Sequence, residues 1–138
     1  MAHATETAKQ KLGGKGEAAA ARLLAAKHYR ILDRNWRQGR LELDLVCEDG
    51  DEIVFVEVKT RTAGTLTSPE EGMSPGKRRS LIKAARCWLA AHQAWERACR
   101  FDLVCVIAAG QEVRLEHHAN AFELADFVAC GNAAWQPW

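Results

Sequence analysis

The sequence lacks three features that would assign a class at once. Its five cysteines are odd in number and include no Cys-x-x-Cys pair, which argues against a zinc site and against a disulfide framework. No apolar run approaches the roughly 18 residues of a membrane span, and the chain has no internal repeats. We therefore expect a cytoplasmic protein in a reducing compartment, without membrane contact.

Length and composition indicate one globular domain. With 138 residues and 48% hydrophobic content, the chain is long enough to bury a core of its own. We expect residues 1–14 to form a flexible leader, residues 15–128 to form the domain, and residues 129–138 to form an irregular tail.

The charge of the chain is segregated, although its net value is only +1. Residues 1–40 carry +6 and residues 60–100 carry +5, whereas residues 41–59 carry −6 and residues 101–138 carry −4. An acidic segment between two basic ones suits a cation site that must also meet a polyanion. Nucleic acid is therefore the partner that we expect.

Hydrophobic periodicity and turn residues predict the element order α-β-β-β-α-β-β. The second helix is predicted to begin at Ser74-Pro75, a serine cap followed by proline, and to end near residue 97. This order predicts an α/β fold with a central mixed sheet flanked by helices. The other predicted elements are a helix over residues 15–28, strands near 29–37, 41–48, 52–60, 101–108 and 113–117, and a short helix at 121–129.

Two carboxylate-bearing strands flank Asp49-Gly50, and they are the most informative feature of the chain. If these two residues form a type I′ turn, Asp44 lies opposite Phe55 and diagonally next to Glu57. Carboxylates at such positions can close around a cation. Because side chains alternate along a strand, the same face also carries Glu42 and Lys59, and the opposite face carries Leu41, Leu43, Leu45, Val54, Val56 and Val58.

This arrangement predicts a site for Mg²⁺ or Mn²⁺, because hard cations prefer oxygen ligands. Asp44 and Glu57 are the expected metal ligands, and the Val58 carbonyl is a further one. Lys59 can hold a water molecule or offset charge on a phosphate. The pattern Asp…Glu-x-Lys is the signature of the restriction-endonuclease-like nucleases. The alternative is that these are solvated charges on an exposed strand.

Short motifs spread over about residues 13–124 carry a second indication. The motifs are Gly16-Glu17, Glu42-Leu43-Asp44-Leu45, the run 54–61, Lys77-Arg78-Arg79, Arg100-Phe101-Asp102 and the run His118–Phe122. In this combination the chain resembles the bacterial YraN family. One position departs from the family pattern, since Leu41 stands where glycine is usual.

The resemblance implies a restriction-endonuclease-like fold, and the nearest characterised relatives of the family are archaeal Holliday-junction resolvases. It also implies Asp44 and Glu57 as metal ligands, Lys59 as the catalytic lysine, and Glu17 as a carboxylate reaching in from the first helix. Glu17 is alternatively an ordinary first-turn glutamate that the helix dipole favours.

Basic residues near the hairpin and the second helix are candidates for phosphate contact. Lys77, Arg78 and Arg79 lie at a helix start, where cations oppose the helix dipole, so a contact with phosphate is an attractive reason for them. Arg40 and Arg61 flank the hairpin. Each of these residues is alternatively part of a solvated surface.

Together these features predict a metal-dependent endonuclease that hydrolyses nucleic-acid phosphodiesters. DNA is favoured over RNA, branched DNA is among the candidate substrates, and a homodimer is compatible with the sequence. The alternatives are a non-catalytic nucleic-acid-binding module on the same fold, and a protein-interaction adaptor.

Overall fold

The computed structural model describes residues 8–62 and 73–122, with side chains from residue 14 onward. No helix in these ranges is long and apolar enough to cross a membrane. The elements agree in order and type with the sequence prediction. They are α1 (Ala8–Ala26), β1 (Arg30–Gln38), β2 (Leu41–Asp49), β3 (Glu52–Thr62), α2 (Pro75–Ala91), β4 (Cys99–Ala109) and β5 (Glu112–His118).

The strands form one mixed sheet in the order β1-β2-β3-β4-β5. β3 and β4 are parallel, and the other neighbouring strands are antiparallel. One face of the sheet packs against α1 and the other against α2. The predicted α/β fold is confirmed, and the arrangement is compatible with the restriction-endonuclease-like fold.

Glycine occupies the first turn position of all three hairpins in the described ranges. Gly39, Gly50 and Gly110 have φ values of 62°, 59° and 62°, which is the left-handed region that glycine enters without steric cost. Asp49 pairs with Glu52, so the β2–β3 turn is Gly50-Asp51. The predicted Asp49-Gly50 turn is therefore wrong.

The predicted strand register is consequently wrong as well. Val46, and not Asp44, lies opposite Phe55. Only the first central residue has positive φ, as in a type II′ turn, whereas type I′ requires positive φ at both. This shift brings Asp44 level with Glu57 on the neighbouring strand.

Each face of the sheet has its own apolar core. Phe55, Trp88 and Phe101 lie in the core on the α2 side, whereas Leu24 and Val56 lie in the core on the α1 side. The predicted apolar face is confirmed for four residues that pack together on the α1 side, namely Leu45, Val54, Val56 and Val58. It is wrong for Leu41 and Leu43, which pack on the α2 side.

The ends of both helices differ from the prediction. α1 already begins at Ala8, so residues 8–14 of the predicted leader are helical. The predicted start of α2 is confirmed, since Ser74 Oγ accepts the N–H of Lys77 at 3.2 Å. α2 ends at Ala91, well before the predicted residue 97. At this end of the helix, the N–H of His92 donates to the carbonyls of Trp88 and Ala90. Residues 1–7, most of the predicted helix 121–129 and the tail 129–138 lie outside the described residues.

Gly16 allows α1 to approach the sheet closely. A methyl group at this position would lie 2.9 Å from Thr60 Oγ1 and 3.4 Å from Val106 Cγ2. The first of these distances is shorter than a normal van der Waals contact. This close approach fixes the height of Glu17, the next residue, above β3.

Candidate functional site

The candidate site lies where β2 and β3 stop pairing. The ladder between them runs from Asp49 and Glu52 to Leu45 and Val56. Beyond that point the side chain of Asp44 replaces a backbone partner, since its Oδ2 accepts the N–H of Val58 at 2.8 Å. Two carboxyl groups, Asp44 and Glu57, therefore meet at the place where the strands separate.

Glu57 is a buried charged residue in the middle of β3. Only 7% of its surface is exposed. Burial and the charge of Asp44 raise the pKa of Glu57 to about 7, and Lys77 acts against this shift. A pKa raised by burial and by a neighbouring carboxylate is a property of many functional carboxyl groups.

Asp44 is partly buried, and desolvation by burial raises its pKa. The hydrogen bond from Val58 and an interaction with Glu57 act in the opposite direction, as does the positive charge of Lys77. Because neither carboxylate has a full counter-charge of its own, the pair favours an additional cation.

Lys77 supplies part of that positive charge. Its Nζ lies 3.2 Å from Glu57 Oε1, at the first turn of α2, which contains no acidic residue. A cation at a helix N-terminus is unfavourable, and here a carboxylate from the sheet compensates it. The phosphate contact of Lys77 stays a prediction, and in this structure the ammonium group is paired with Glu57.

Lys59 and Glu17 complete the set that the sequence predicted. Lys59 follows Glu57 by two residues on β3 and so projects from the same face, where it is partly buried. Glu17 lies on α1, and its pKa is raised by burial and by the charge of Asp44, while a hydrogen bond with Asn35 lowers it. The carboxylate pair is therefore reached by α1 from one side and by α2 from the other.

Several predicted residues lie outside this group. Glu42 does not face Glu57 but pairs with Arg37 on β1 at 3.5 Å, because of the register shift. Arg78 donates from Nε to the Met73 carbonyl at 2.7 Å and lies over the Phe122 ring. These contacts give it a structural role. Arg79 and Arg40 are exposed, and Arg61 is partly buried.

The donor set fits a hard divalent cation with few protein ligands. Asp44 and Glu57 provide carboxylate oxygens, and Mg²⁺ is commonly held by one or two carboxylates while it keeps several waters. Among the described residues, no group of three His, Cys, Asp or Glu side chains could hold an ion. Glu17 interacts electrostatically with Asp44, but it does not form a group of three metal ligands with Asp44 and Glu57.

A shallow groove runs along the flank of α2, with a volume of about 330 Å³. We call it the α2 groove. Its floor is apolar, and Lys83 and Arg86 line it. Arg40 precedes Leu41, one of the lining residues, in the β1–β2 turn. The full lining is Leu41, Lys83, Arg86, Cys87, Ala90 and Trp95.

A second charged cluster is centred on Asp102, which is 1% exposed. Its carboxylate accepts hydrogen bonds from Arg100 at 2.8 and 3.1 Å, from His117 at 2.7 Å and from the N–H of Asn120 at 2.9 Å. Burial raises the pKa of Asp102, but the bonds from His117 and Arg100 outweigh burial and lower it. Sequence reasoning missed this cluster. Its signals in the sequence were the Arg100-Phe101-Asp102 motif, a pair of charges flanking Phe101 in an apolar strand, and the run His118–Phe122, which contains Asn120.

The fold and the paired carboxyl groups define an α/β protein compatible with the restriction-endonuclease-like class. The model of the uncharacterised protein family UPF0102 matches residues 16–106. The chain belongs to this family, which is the YraN family, and the resemblance seen in the sequence is confirmed.

Relatives of the family extend over most of the chain. A UPF0102 protein of Nitratidesulfovibrio vulgaris (strain DP4) is 55% identical over 131 residues, which cover 95% of this chain and 98% of that protein. One from Lawsonia intracellularis is 43% identical over 127 residues, covering 92% and 96%. A solved structure, that of SSO0001, is 12% identical with a TM-score of 0.31 and covers 86% of this chain and 55% of the other. That similarity is too low to support an argument.

Proposed function

We propose that the protein is a metal-dependent endonuclease that hydrolyses nucleic-acid phosphodiesters at the Asp44–Glu57 pair. The observation that supports this most is the pairing of the buried Glu57 carboxyl group, with its pKa raised to about 7, with the partly buried Asp44, next to Lys77. Such an arrangement is costly for a merely structural site. It is useful where a cation and a phosphate must meet.

Asp44 and Glu57 would hold Mg²⁺ or Mn²⁺, with the Val58 carbonyl as a further ligand. The cation would neutralise charge on a phosphate oxygen and make a nearby water more acidic. Lys59 would orient the attacking water and stabilise negative charge on the phosphate in the transition state. Water would release a proton to solvent and attack phosphorus in line with the leaving sugar oxygen, the bond to that oxygen would break, and the oxygen would take up a proton from solvent.

Glu17 and the basic residues would position the reactants. Glu17 lies on α1 and interacts electrostatically with Asp44, one of the proposed metal ligands. Arg40, Arg61 and Arg79, together with Lys83 and Arg86 of the α2 groove, would contact the nucleic-acid backbone on either side of the site. DNA, including branched DNA, is the substrate that we favour over RNA. The chain would act in the cytoplasm, and a homodimer would be compatible with a two-strand substrate.

The decisive test is a cleavage assay on duplex, single-stranded and branched DNA and on RNA, with Mg²⁺, Mn²⁺ or EDTA. Asp44→Asn and Lys59→Ala should each lower the cleavage rate by about 10²-fold or more, because both act on charge in the transition state. Asp51→Asn, which removes an exposed carboxylate at the tip of the same hairpin, is the matched control and should cleave like the wild type.

The two alternatives give different results in the same assay. A binding module would bind nucleic acid with a steep salt dependence and cleave no substrate with either metal. A protein-interaction adaptor would do neither. Cleavage that survives in Asp44→Asn would place the activity elsewhere.

A further inference from the structure

We propose that Lys77 is an internal counter-ion that competes with the divalent cation for Glu57 and contacts a substrate phosphate once the cation has displaced it. This inference rests on the proposed function, since it concerns the same site. It assigns a role to Lys77 of α2, a residue that lies outside the Asp…Glu-x-Lys pattern.

The first step is the position of the Lys77 ammonium group. It lies 3.2 Å from Glu57 Oε1, and the Glu57 side chain is only 8% exposed. A proposed ligand of the cation is thus already paired with a positively charged residue of the protein. A cation that binds Glu57 must therefore replace this ion pair, and the cost of replacing it lowers the apparent metal affinity.

The second step is the balance of charge. Asp44 and Glu57 carry two negative charges when both are ionised, and Lys77 supplies one positive charge. A divalent cation neutralises the pair by itself, so Lys77 is then repelled by the cation and has no carboxylate left to compensate. A phosphate group at the cation provides the negative charge that Lys77 has lost.

The third step is the freedom of Lys77 to move. Its side chain is 31% exposed, whereas its backbone N–H is fixed by Ser74. The long side chain can therefore swing from Glu57 to an adjacent phosphate without any change in α2. The positive end of the helix also favours an anion at this place.

The test is calorimetric titration of the full chain with Mn²⁺ in the absence of nucleic acid. Lys77→Met removes the charge and keeps most of the side-chain length, so it should bind Mn²⁺ about tenfold more tightly than the wild type. Lys77→Arg, which keeps the charge, should resemble the wild type. Lys27→Met, an exposed lysine just after α1, is the matched control and should not change the affinity.

A second measurement addresses the phosphate contact. In a Lys59→Ala background, which keeps the carboxylates, Mn²⁺ should strengthen the binding of a DNA oligonucleotide. Adding Lys77→Met should remove most of that gain. Circular dichroism confirms that each variant is folded.

The outcomes separate this inference from the proposed function. Equal or weaker Mn²⁺ binding by Lys77→Met overturns the role of Lys77 while the metal site of the wild type stands. If Lys77→Met binds Mn²⁺ and the wild type does not, the result supports competition between Lys77 and the cation for Glu57. If neither protein binds Mn²⁺, both the metal site and the inference fail.

Discussion

At the scale of single residues, two buried carboxylates on neighbouring strands differ in how their charge is satisfied. Asp102 receives hydrogen bonds from two side chains and a backbone N–H, and its pKa is lowered. Glu57 has one lysine and a second carboxyl group beside it, and its pKa is raised. A satisfied carboxylate stabilises the fold, whereas a carboxylate short of positive charge can bind something else.

The first prediction concerns the pH dependence of stability in EDTA. The pKa of Glu57 rises from 4.5 to about 7 on folding, so between these values the folded protein binds more protons than the unfolded chain. The contribution of Glu57 to the free energy of unfolding should therefore be largest below pH 4.5. It should fall by about 1–3 kcal/mol as the pH rises to 7.

Glu57→Gln removes the titrating group, so its stability profile should be flatter than that of the wild type over this window. Urea unfolding between pH 4 and pH 8 measures both profiles. Parallel profiles would mean that Glu57 is ionised at ordinary pH in the folded protein.

The second prediction concerns Asp102. Asp102→Asn leaves Arg100 and His117 with a weaker acceptor in a buried place, so the free energy of unfolding should fall by about 3 kcal/mol. Asp49→Asn is the matched control, because Asp49 also contacts Arg100, at 3.2 Å, but is 41% exposed. Its effect should be about 0.5 kcal/mol or less. Equal effects of the two substitutions in urea unfolding would refute a special role for Asp102.

At the scale of elements, the beginning of α2 and the alternation of strands follow from local rules, whereas the register does not. Ser74 and Pro75 are local signals for a helix start. In the β2–β3 turn, Gly50 can be the first or the second central residue, and the turn type decides between these positions. The turn type depends on the backbone conformation of the neighbouring residue, which the sequence does not specify. An error of one residue there moves every cross-strand pair, which is why Glu42 was misplaced while Asp44 and Glu57 were still brought together. Lys77 was missed as their partner because its contact depends on how α2 packs.

The third prediction uses two glycines of α1. Nothing lies within 4 Å of a methyl group added to Gly14, so Gly14→Ala should stabilise the protein by about 0.5–1 kcal/mol through helix propensity. At Gly16 the same methyl group would meet Thr60 at 2.9 Å. Gly16→Ala should therefore be less stable than Gly14→Ala by about 1–3 kcal/mol.

Thermal and urea unfolding of the two variants provide the comparison. Since Gly16 sets the height of Glu17, the Gly16 variant should also lose cleavage activity if Glu17 acts on Asp44. Equal stabilisation by both substitutions would mean that α1 does not approach β3 closely.

At the scale of the whole molecule, the basic and acidic segments of the sequence correspond to different structural elements. The acidic hairpin supplies the carboxylate pair, and the basic segments before and after it contribute the β1–β2 turn and α2. Lys83 and Arg86 were not singled out in the sequence, because their relation to the β1–β2 turn depends on packing of distant segments.

The fourth prediction is that nucleic-acid binding depends steeply on salt and requires the α2 groove. Replacing Lys83 and Arg86 by alanine should weaken binding to all sequences and lower the slope of log K against log salt by about 2. Arg114→Ala on β5, exposed on a different part of the sheet, should leave the slope unchanged. Fluorescence anisotropy at several salt concentrations measures the slope, and an unaltered slope in the double variant would exclude the groove as a contact surface.

The single parallel pairing in the sheet has a consequence for how the chain folds. β1, β2 and β3 are joined by two tight turns, and β4 and β5 by a third, so these two units can form from contacts close in sequence. Joining β3 to β4 requires closure of a loop from Thr62 to Cys99, which carries a larger entropic cost. We expect this closure to limit the folding rate. The carboxylate pair would then be assembled early, and its lysine from α2 would arrive only when the two halves join.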